Sequence, residues 1–330
     1  MSTKEKILGL LEANRDKYFS GEELARELNV SRTAVWKAIK SLQSEGYEVD
    51  AVTHKGYALS SNSDILSRQG IIKYLNDNLK NLKIDVFKTI DSTNTYIKKS
   101  LDLNLPEGYT VISTEQTAGR GRYGRSFFSP KNLGLYWSIL LHPTKFAAKD
   151  AVKVTTMAAV AMCEAIEELT DLKPQIKWVN DIYIDGKKVC GILTEGVISM
   201  ESGLLESAIL GTGVNLYAPE GGFPEEIKDI ATALFSESQK NETQDIQNHL
   251  IASFINRFFY YYNSGDDSEY SDKYRKYSFV IGKKITVVIG DKERSALVLG
   301  IDNDCQLEVK YDDGSYESLS HGEINIKDFI

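Results

Sequence analysis

The chain predicts an α+β protein of several domains: a winged helix-turn-helix, then a mixed and mainly antiparallel sheet with helices, then a small β-barrel. Three observations predict it. Apolar residues recur at helical spacing near the N-terminus, ahead of two short strand-like runs. A central stretch interleaves strand-like runs with two long helices, and the C-terminal segment holds four short strand-like runs separated by turn residues. At 330 residues the sequence exceeds the ~100–150 usual for one domain, so division is expected. The boundaries fall at 1–62, 63–276 and 277–330.

Ile7, Leu8, Leu10 and Leu11 predict a first helix ending near Asn14. Ser20 and Glu23 form a capping-box start for a second, and Ser31 caps a third. In the third, Val35, Ala38, Ile39 and Leu42 share one face, leaving Arg32, Thr33, Trp36, Lys37 and Lys40 on or near the other. The runs 47–52 and 56–59 flank Thr53-His54-Lys55, a two-stranded wing with His54 and Lys55 at its tip. Such a unit lays early residues of its last helix at base edges, so Ser31, Arg32, Thr33, Trp36 and Lys37 are DNA-contact candidates, with Lys40 and Lys55 beside them. The competing role is protein contact alone. Positions 1–60 hold nine basic and nine acidic residues, which weakens the DNA reading without removing it; one module with few phosphate contacts would bind poorly alone, so a pair on a symmetric site is implied if DNA is the target. Residues 60–64, Ser-Ser-Asn-Ser-Asp, read as a polar linker.

The net charge of −8 argues against indiscriminate nucleic-acid or membrane binding, although it leaves room for a local basic surface. Cys163, Cys190 and Cys305 sit in apolar contexts without metal-ligand spacing and read as reduced core residues. With no signal-peptide core at the N-terminus and no apolar run of membrane length, a soluble cytoplasmic protein is expected.

In the central region, strands are expected at 84–87, 110–113, 135–141, 176–178, 182–184, 189–194 and 205–216, and helices at 150–169 and 243–263. Asp185-Gly186 marks a hairpin turn. The run Gly119-Arg120-Gly121-Arg122-Tyr123-Gly124-Arg125 joins backbone that approaches a ligand closely to guanidinium forks that never deprotonate, a combination suited to phosphate or carboxylate. The bland alternative is a solvated basic loop. Its G-x-G-x-x-G spacing is not a dinucleotide fingerprint, because an aromatic strand follows in place of a helix. Asp91-Ser92-Thr93-Asn94 offers either a helix cap or ligand groups. Lys177, inside an apolar strand, is either an edge gatekeeper or an anion ligand. The glycines of Gly211-Thr212-Gly213-Val214-Asn215 break a strand, signalling a bulge or a close approach to a ligand.

Taken in order, Asp91-Ser92-Thr93-Asn94, Gln116 with the arginine-glycine run, Lys177-Trp178-Val179-Asn180-Asp181, Cys190-Gly191-Ile192-Leu193 and Gly213-Val214-Asn215 resemble the bifunctional biotin protein ligase and biotin operon repressor family over nearly the whole chain. The resemblance implies an ATP-dependent ligase that makes biotinoyl-5′-AMP and passes biotin to a lysine of a biotin carboxyl carrier protein. It also implies a repressor of biotin genes that binds operator DNA as a homodimer. It implies that Ser92, Thr93, Asn94 and Gln116 hold biotin's ureido head, that Arg120, Gly121 and Arg122 close over biotin and the acyl phosphate, and that Lys177 contacts carboxylate or phosphate oxygens. Catalysis falls to Arg120, Arg122 and Lys177. Nucleotide contacts are expected from Arg122, Asn180 and Asn215, with Tyr136 or Trp137 facing adenine. Magnesium is expected with ATP; its ligand is unassigned, Asp181 being a candidate. Val179 stands where the family often has proline and Phe127 where a tryptophan can occur, changes of packing and not of charge.

The C-terminal strands 284–289, 296–301, 307–311 and 315–319 predict a small closed barrel, SH3-like by the resemblance. Residues 217–230 form a long loop expected to act as a lid that orders over the adenylate and favours dimerisation. Two rivals remain: a ligand-sensing regulator without activity, disfavoured by Arg120, Arg122 and Lys177, and a lipoate ligase, disfavoured by the arginine-glycine run and the helix-turn-helix.

Overall fold

The computed structural model describes residues 2–143, 151–198, 205–241, 243–290 and 292–326. It divides into two compact units, residues 1–81 with 239–253, and residues 82–238 with 254–330.

In the first unit, α1 (Thr3–Glu12), α2 (Gly21–Glu27) and α3 (Arg32–Ser44) precede the hairpin β1 (Val49–Val52) and β2 (Gly56–Leu59). Ser20 and Glu23 form the expected capping box, and Ser2 with Glu5 forms another. Ile7, Leu11, Leu24, Val35, Ile39 and Leu42 make the core. Ser31, Arg32, Thr33, Trp36, Lys37, Lys40 and Lys55 are all exposed, with Trp36 at 52%. The polar segment after the wing is no free tether: Ser63 is 2% exposed, and Arg15 Nη1 donates to the carbonyls of Ser61 and Ser63. Arg15 also pairs with Glu12 and Asp245, both nearly fully buried, and Lys73 of α4 (Arg68–Tyr74) pairs with Asp245.

The second unit holds a seven-stranded sheet in the order β3-β4-β5-β9-β8-β7-β6. These strands are β3 (Ile84–Phe87), β4 (Thr110–Ser113), β5 (Gly134–Leu141), β6 (Gln175–Lys177), β7 (Asp181–Ile184), β8 (Lys187–Ile198) and β9 (Leu205–Asn215). Only β3 and β4 run parallel, so the sheet is mixed and mainly antiparallel as expected. Asp185 and Gly186 turn the β7–β8 hairpin with both φ angles positive, at 47° and 76°. Successive side chains of a strand point to opposite faces, and two pairs of neighbours sort the helices. Ser138 bonds Thr93 and Asn94 of α5 (Thr93–Lys99), whereas Trp137 meets Phe254 of α7 (Ile246–Ser264). Likewise Glu195 bonds Asn94, whereas Thr194 bonds Thr155 of α6 (Ala151–Leu169). Thus α5 covers one face and α6 and α7 the other. Position 150, the expected start of α6, lies outside the described residues.

The glycines of β9 do not break it. Its register with β5 is continuous from Ala208 to Asn215, so the expected bulge is replaced by a straight strand whose glycines make room for side chains of α5 and the arginine loop. The C-terminal sheet is antiparallel in the order β13-β12-β11-β10-β14, comprising β10 (Lys284–Ile289), β11 (Lys292–Ile301), β12 (Leu307–Tyr311), β13 (Tyr316–Leu319) and an additional strand β14 (Glu323–Ile326), with β13 and β14 outermost. Residue 291 of the expected β10–β11 turn lies outside the described residues. A further helix, α8 (Ser268–Tyr277), is polar in sequence but buries Tyr270 and Tyr274.

Candidate active site

A cavity of about 170 Å³ opens in the second unit, above the seven-stranded sheet. Its walls are the start of α5 (Ser92, Thr93, Asn94), Gln116, the loop from Arg120 to Phe127, the end of β6 with Lys177, and the glycine-rich middles of β8 and β9. Glu323, Ile324 and Asn325 of β14 complete it.

One end is neutral and polar. Ser92 caps α5, its hydroxyl accepting from Thr95 N at 3.4 Å, so the cap predicted from sequence and a place in the wall coexist. Gln116 Oε1 accepts from Thr93 N at 2.9 Å, and Gln116 Nε2 donates to Ser129 at 3.2 Å. Asn94 lies flat against β9: a Cβ at Gly211 would come 2.1 Å from its Oδ1. A Cβ at Gly213 would likewise come 2.7 Å from the Phe127 ring, so the bare backbone of Gly213 lets Phe127 lie on the sheet as a cavity wall.

The charged part of the wall gathers Arg122, Arg125, Lys177 and Lys188 with two carboxylates, Asp181 and Glu323, and the exposed Arg120 lines the cavity too. The arginine loop is a tight reversal in which Gly121 N donates to Arg125 O at 2.7 Å and Phe127 N to Gly119 O at 3.0 Å. Tyr123 and Gly124 make the turn with φ of 55° and 75°. Arg122 is braced at both ends of its fork, donating to Asn180 Oδ1 and to the Gly322 carbonyl, each at 3.0 Å. Asn180 is in turn fixed by donating Nδ2 to Ile192 O at 2.8 Å. Arg125 pairs with Glu323 at 2.6 Å and Lys188 with Asp181 at 2.7 Å. Lys177 sits on the edge strand β6 and also lines the cavity. Burial holds its ammonium below the ordinary lysine range, and nearby Asp181 offsets this only in part. Trp178, joined to Val179 by a cis peptide, donates Nε1 to Cys305 O at 3.0 Å and ties the 177–181 segment to the C-terminal sheet.

Three of the residues expected at the nucleotide are not in the cavity wall. Trp137 is fully buried edge-on against Phe254, and Tyr136 is 1% exposed edge-on against Phe127 with its hydroxyl beside Pro130 O. Neither ring lines the cavity, because β5 is central and its side chains are consumed by packing on both faces. Asn215 lies outside the wall too, its amide donating to Thr232 O at 2.9 Å. Conversely, Arg125 was expected only as part of the arginine-glycine run, and Lys188 and the β14 residues had no place in the expected site. The charge of Lys188 was visible in sequence but its neighbours were not, and β14 reaches the cavity only through the tertiary fold. The expected lid packs Phe223 against Phe128, and its Ile230 carbonyl accepts from Lys188 N of β8 at 2.8 Å. The three cysteines are buried and free.

A cavity lined by cations and by a set of amides and hydroxyls, on a mixed sheet and in a chain that also carries a winged helix-turn-helix, defines a class: a site suited to an anionic substrate with a polar head, in a protein that also has a DNA-binding type of module. Comparison with known proteins narrows it. Residues 86–215 match the Biotin/lipoate A/B protein ligase family, residues 3–58 an HTH domain, and residues 280–326 the Biotin protein ligase C terminal domain. The bifunctional ligase/repressor BirA of Bacillus subtilis is 35% identical over 263 residues, covering 79% of this chain and 80% of that protein. That of Escherichia coli is 28% identical over 322 residues, covering 98% and 96%. A biotin protein ligase from Aquifex aeolicus, solved with biotin and ATP, superposes with a TM-score of 0.60 at 24% identity, covering 74% of this chain and 98% of that one, a likeness of fold. The chain belongs to the bifunctional ligase/repressor family of biotin protein ligases.

Proposed function

We propose that this protein activates biotin with ATP, transfers it to a lysine of a carrier protein, and represses biotin genes through its winged helix-turn-helix. The observation that carries the ligase reading is the cavity's polarity: a cluster of four cationic side chains, Arg122, Arg125, Lys177 and Lys188, and a neutral group of Thr93, Asn94 and Gln116. Biotin has a matching polarity, a ureido head and a carboxylate tail.

In the first step a carboxylate oxygen of biotin attacks the α-phosphorus of ATP, the new O–P bond forms, and pyrophosphate leaves with the bonding electrons. In the second, a lysine amine of the carrier attacks the acyl carbon, AMP leaves, and the amine loses its proton to solvent. No enzyme nucleophile takes part. Because carboxylate and triphosphate repel each other, the protein's task is to bring them together and stabilise the charge that builds in flight. Arg122, preset by Asn180 and Gly322, does so without reorganising; the exposed Arg120 and the half-buried Lys177 line the same cavity. Ser92, Thr93, Asn94 and Gln116 hold the head. Asn180 serves the nucleotide by orienting Arg122.

Magnesium accompanies ATP on its phosphates. The wall's two carboxylates, Asp181 and Glu323, are engaged by Lys188 and Arg125, no cluster of three His, Cys, Asp or Glu is present among the described residues, and no step is assigned to the metal. The 217–230 loop closes over the adenylate and strengthens dimerisation, pairing two DNA-binding modules. No described helix is long and apolar enough to cross a membrane.

The test is biotin-dependent exchange of labelled pyrophosphate into ATP. Exchange should require biotin, be unsupported by lipoate, and fall about 10²–10³-fold in Arg122→Ala, the usual effect of losing one preorganised charge-stabilising donor. Exchange that persists undiminished in that variant would remove the arginine loop from the chemistry.

A further inference from the structure

Behind the polar end of the cavity runs a chain of hydrogen bonds whose direction is fixed by its two ends. Asn94 Nδ2 donates to Glu195 Oε2 at 2.9 Å, and Glu195 is held by Lys98 at 3.5 Å. With its Nδ2 turned to a carboxylate, Asn94 presents Oδ1 to Ser138, whose hydroxyl lies 2.5 Å from it and 2.7 Å from Thr93 Oγ1. A serine has one proton. The Asn94 carbonyl oxygen has none to return, so Ser138 donates to Asn94, and the short Ser138–Thr93 contact is satisfied by the Thr93 proton. The second branch starts at another pure acceptor. Ser129 donates to the Phe127 carbonyl at 2.9 Å and therefore accepts from Gln116 Nε2, which turns Gln116 Oε1 toward Thr93, from whose N it accepts at 2.9 Å. The branches meet at Thr93 Oγ1 and Gln116 Oε1, 3.2 Å apart: with its proton committed to Ser138, Thr93 Oγ1 keeps acceptor lone pairs, and Gln116 Oε1 keeps one beyond the bond it accepts from Thr93 N.

We infer that Glu195, which does not line the cavity, is a positioning residue: acting through Asn94 and Ser138, it polarises this chain so that the polar end accepts hydrogen bonds and selects a ligand head bearing N–H donors. The inference rests on the proposed placement of biotin's head at this end. With a glutamine at 195, the Asn94 amide can turn over, Ser138 then donates to Thr93, and Thr93 points a proton at the ligand's own N–H. Glu195 is a quarter exposed and the exchange is isosteric, so the fold should be retained.

The experiment measures kcat and KM for biotin in pyrophosphate exchange. It is repeated with an analogue in which ring oxygen replaces one ureido N–H, a change that removes a donor without adding bulk. Glu195→Gln should raise the biotin KM about tenfold, as loss of one well-aligned hydrogen bond does, with kcat little changed, and should narrow the preference for biotin over the analogue. Asn94→Asp sets two carboxylates against each other and should be worse. The double variant Asn94→Asp/Glu195→Gln restores a donor–acceptor pair that still leaves an acceptor for Ser138, and its KM and preference should return toward the unmodified protein. Such recovery is not expected of a residue that only supports the fold. The inference is overturned if Glu195→Gln alters neither KM nor preference, or if the double variant is no better than Asn94→Asp alone. Thr93→Val separates the two readings. If it leaves the biotin KM unchanged, the head is bound elsewhere and the inference falls with that placement. If it raises KM while Glu195→Gln is silent, only the role of Glu195 is lost.

Discussion

Lys177 combines two properties that pull against each other: its position in an anion site requires a charge, and its burial penalises one. Desolvation is the larger effect, and Asp181 compensates only partly, so the ammonium loses its proton at a lower pH than an ordinary lysine. The sign for activity follows directly. The charged form is present below the depressed pKa and disappears as pH rises through it, so the alkaline limb of kcat/KM for biotin should fall earlier than a free lysine would dictate. Lys177→Arg keeps the charge at every accessible pH and should carry that limb upward, at some loss of rate because a planar fork replaces a point charge. An alkaline limb that does not move would assign it to another group. For stability the sign is opposite. Between the two pKa values the folded state binds fewer protons than the unfolded chain, so the penalty for burying Lys177 shrinks as pH rises through that window.

The elements show which parts of the site could be read from sequence. Capping boxes, the Asp185-Gly186 hairpin and the strands β3 to β5 are local signals, decided by a few neighbouring side chains, and they appear where the residues put them. The arginine-glycine loop and Lys177 were legible because unusual residues stood in unusual places. What local pattern could not supply was the partner of each. Tyr136 and Trp137 looked available for adenine because aromatic residues in a strand are the same letters whether they face a ligand or a core; the central position of β5 decides for the core. Glu323 entered the cavity by way of a four-residue strand near the C-terminus that has no distinctive sequence. The glycines of β9 are intermediate: their importance was visible, their reason was not. Gly211 is needed for space, since its Cβ would stand 2.1 Å from Asn94 Oδ1, an atom that Ser138 already holds. Gly211→Ala should therefore displace Asn94, raise the biotin KM and destabilise the fold by about 1–3 kcal/mol, the range for overpacking a tight contact. Urea denaturation and exchange kinetics check both effects, and a variant with unchanged KM would show that Asn94 is free to move.

At the scale of the whole molecule, the difficulty is how an acidic protein binds DNA. The chain carries a net charge of −8, and its winged helix-turn-helix balances nine basic against nine acidic residues in positions 1–60. Affinity must then come from a few aimed contacts, and doubling them through dimerisation is the efficient route, because the second module binds at the high effective concentration set by the first. This makes the number of modules on the duplex measurable through salt. In a winged helix-turn-helix the early residues of the last helix are the ones that reach base edges, so Lys40, exposed later on α3, is proposed for a phosphate. Each phosphate contact adds about 0.9 to the slope of log affinity against log salt on B-form DNA. Lys40→Ala removes one contact per module, so the slope should shrink by about 1.8 if two modules bind and by about 0.9 if one does. The duplex is selected from a random library by the unmodified protein in the presence of biotin and ATP, conditions in which the adenylate forms. Pyrophosphate exchange should be unchanged in the variant, since Lys40 has no part in the cavity. Sedimentation under the same conditions should show a stronger self-association than without the two substrates. A slope change near 0.9, with self-association unaltered by the adenylate, would leave repression to a single module and remove dimerisation as the link between biotin supply and DNA binding.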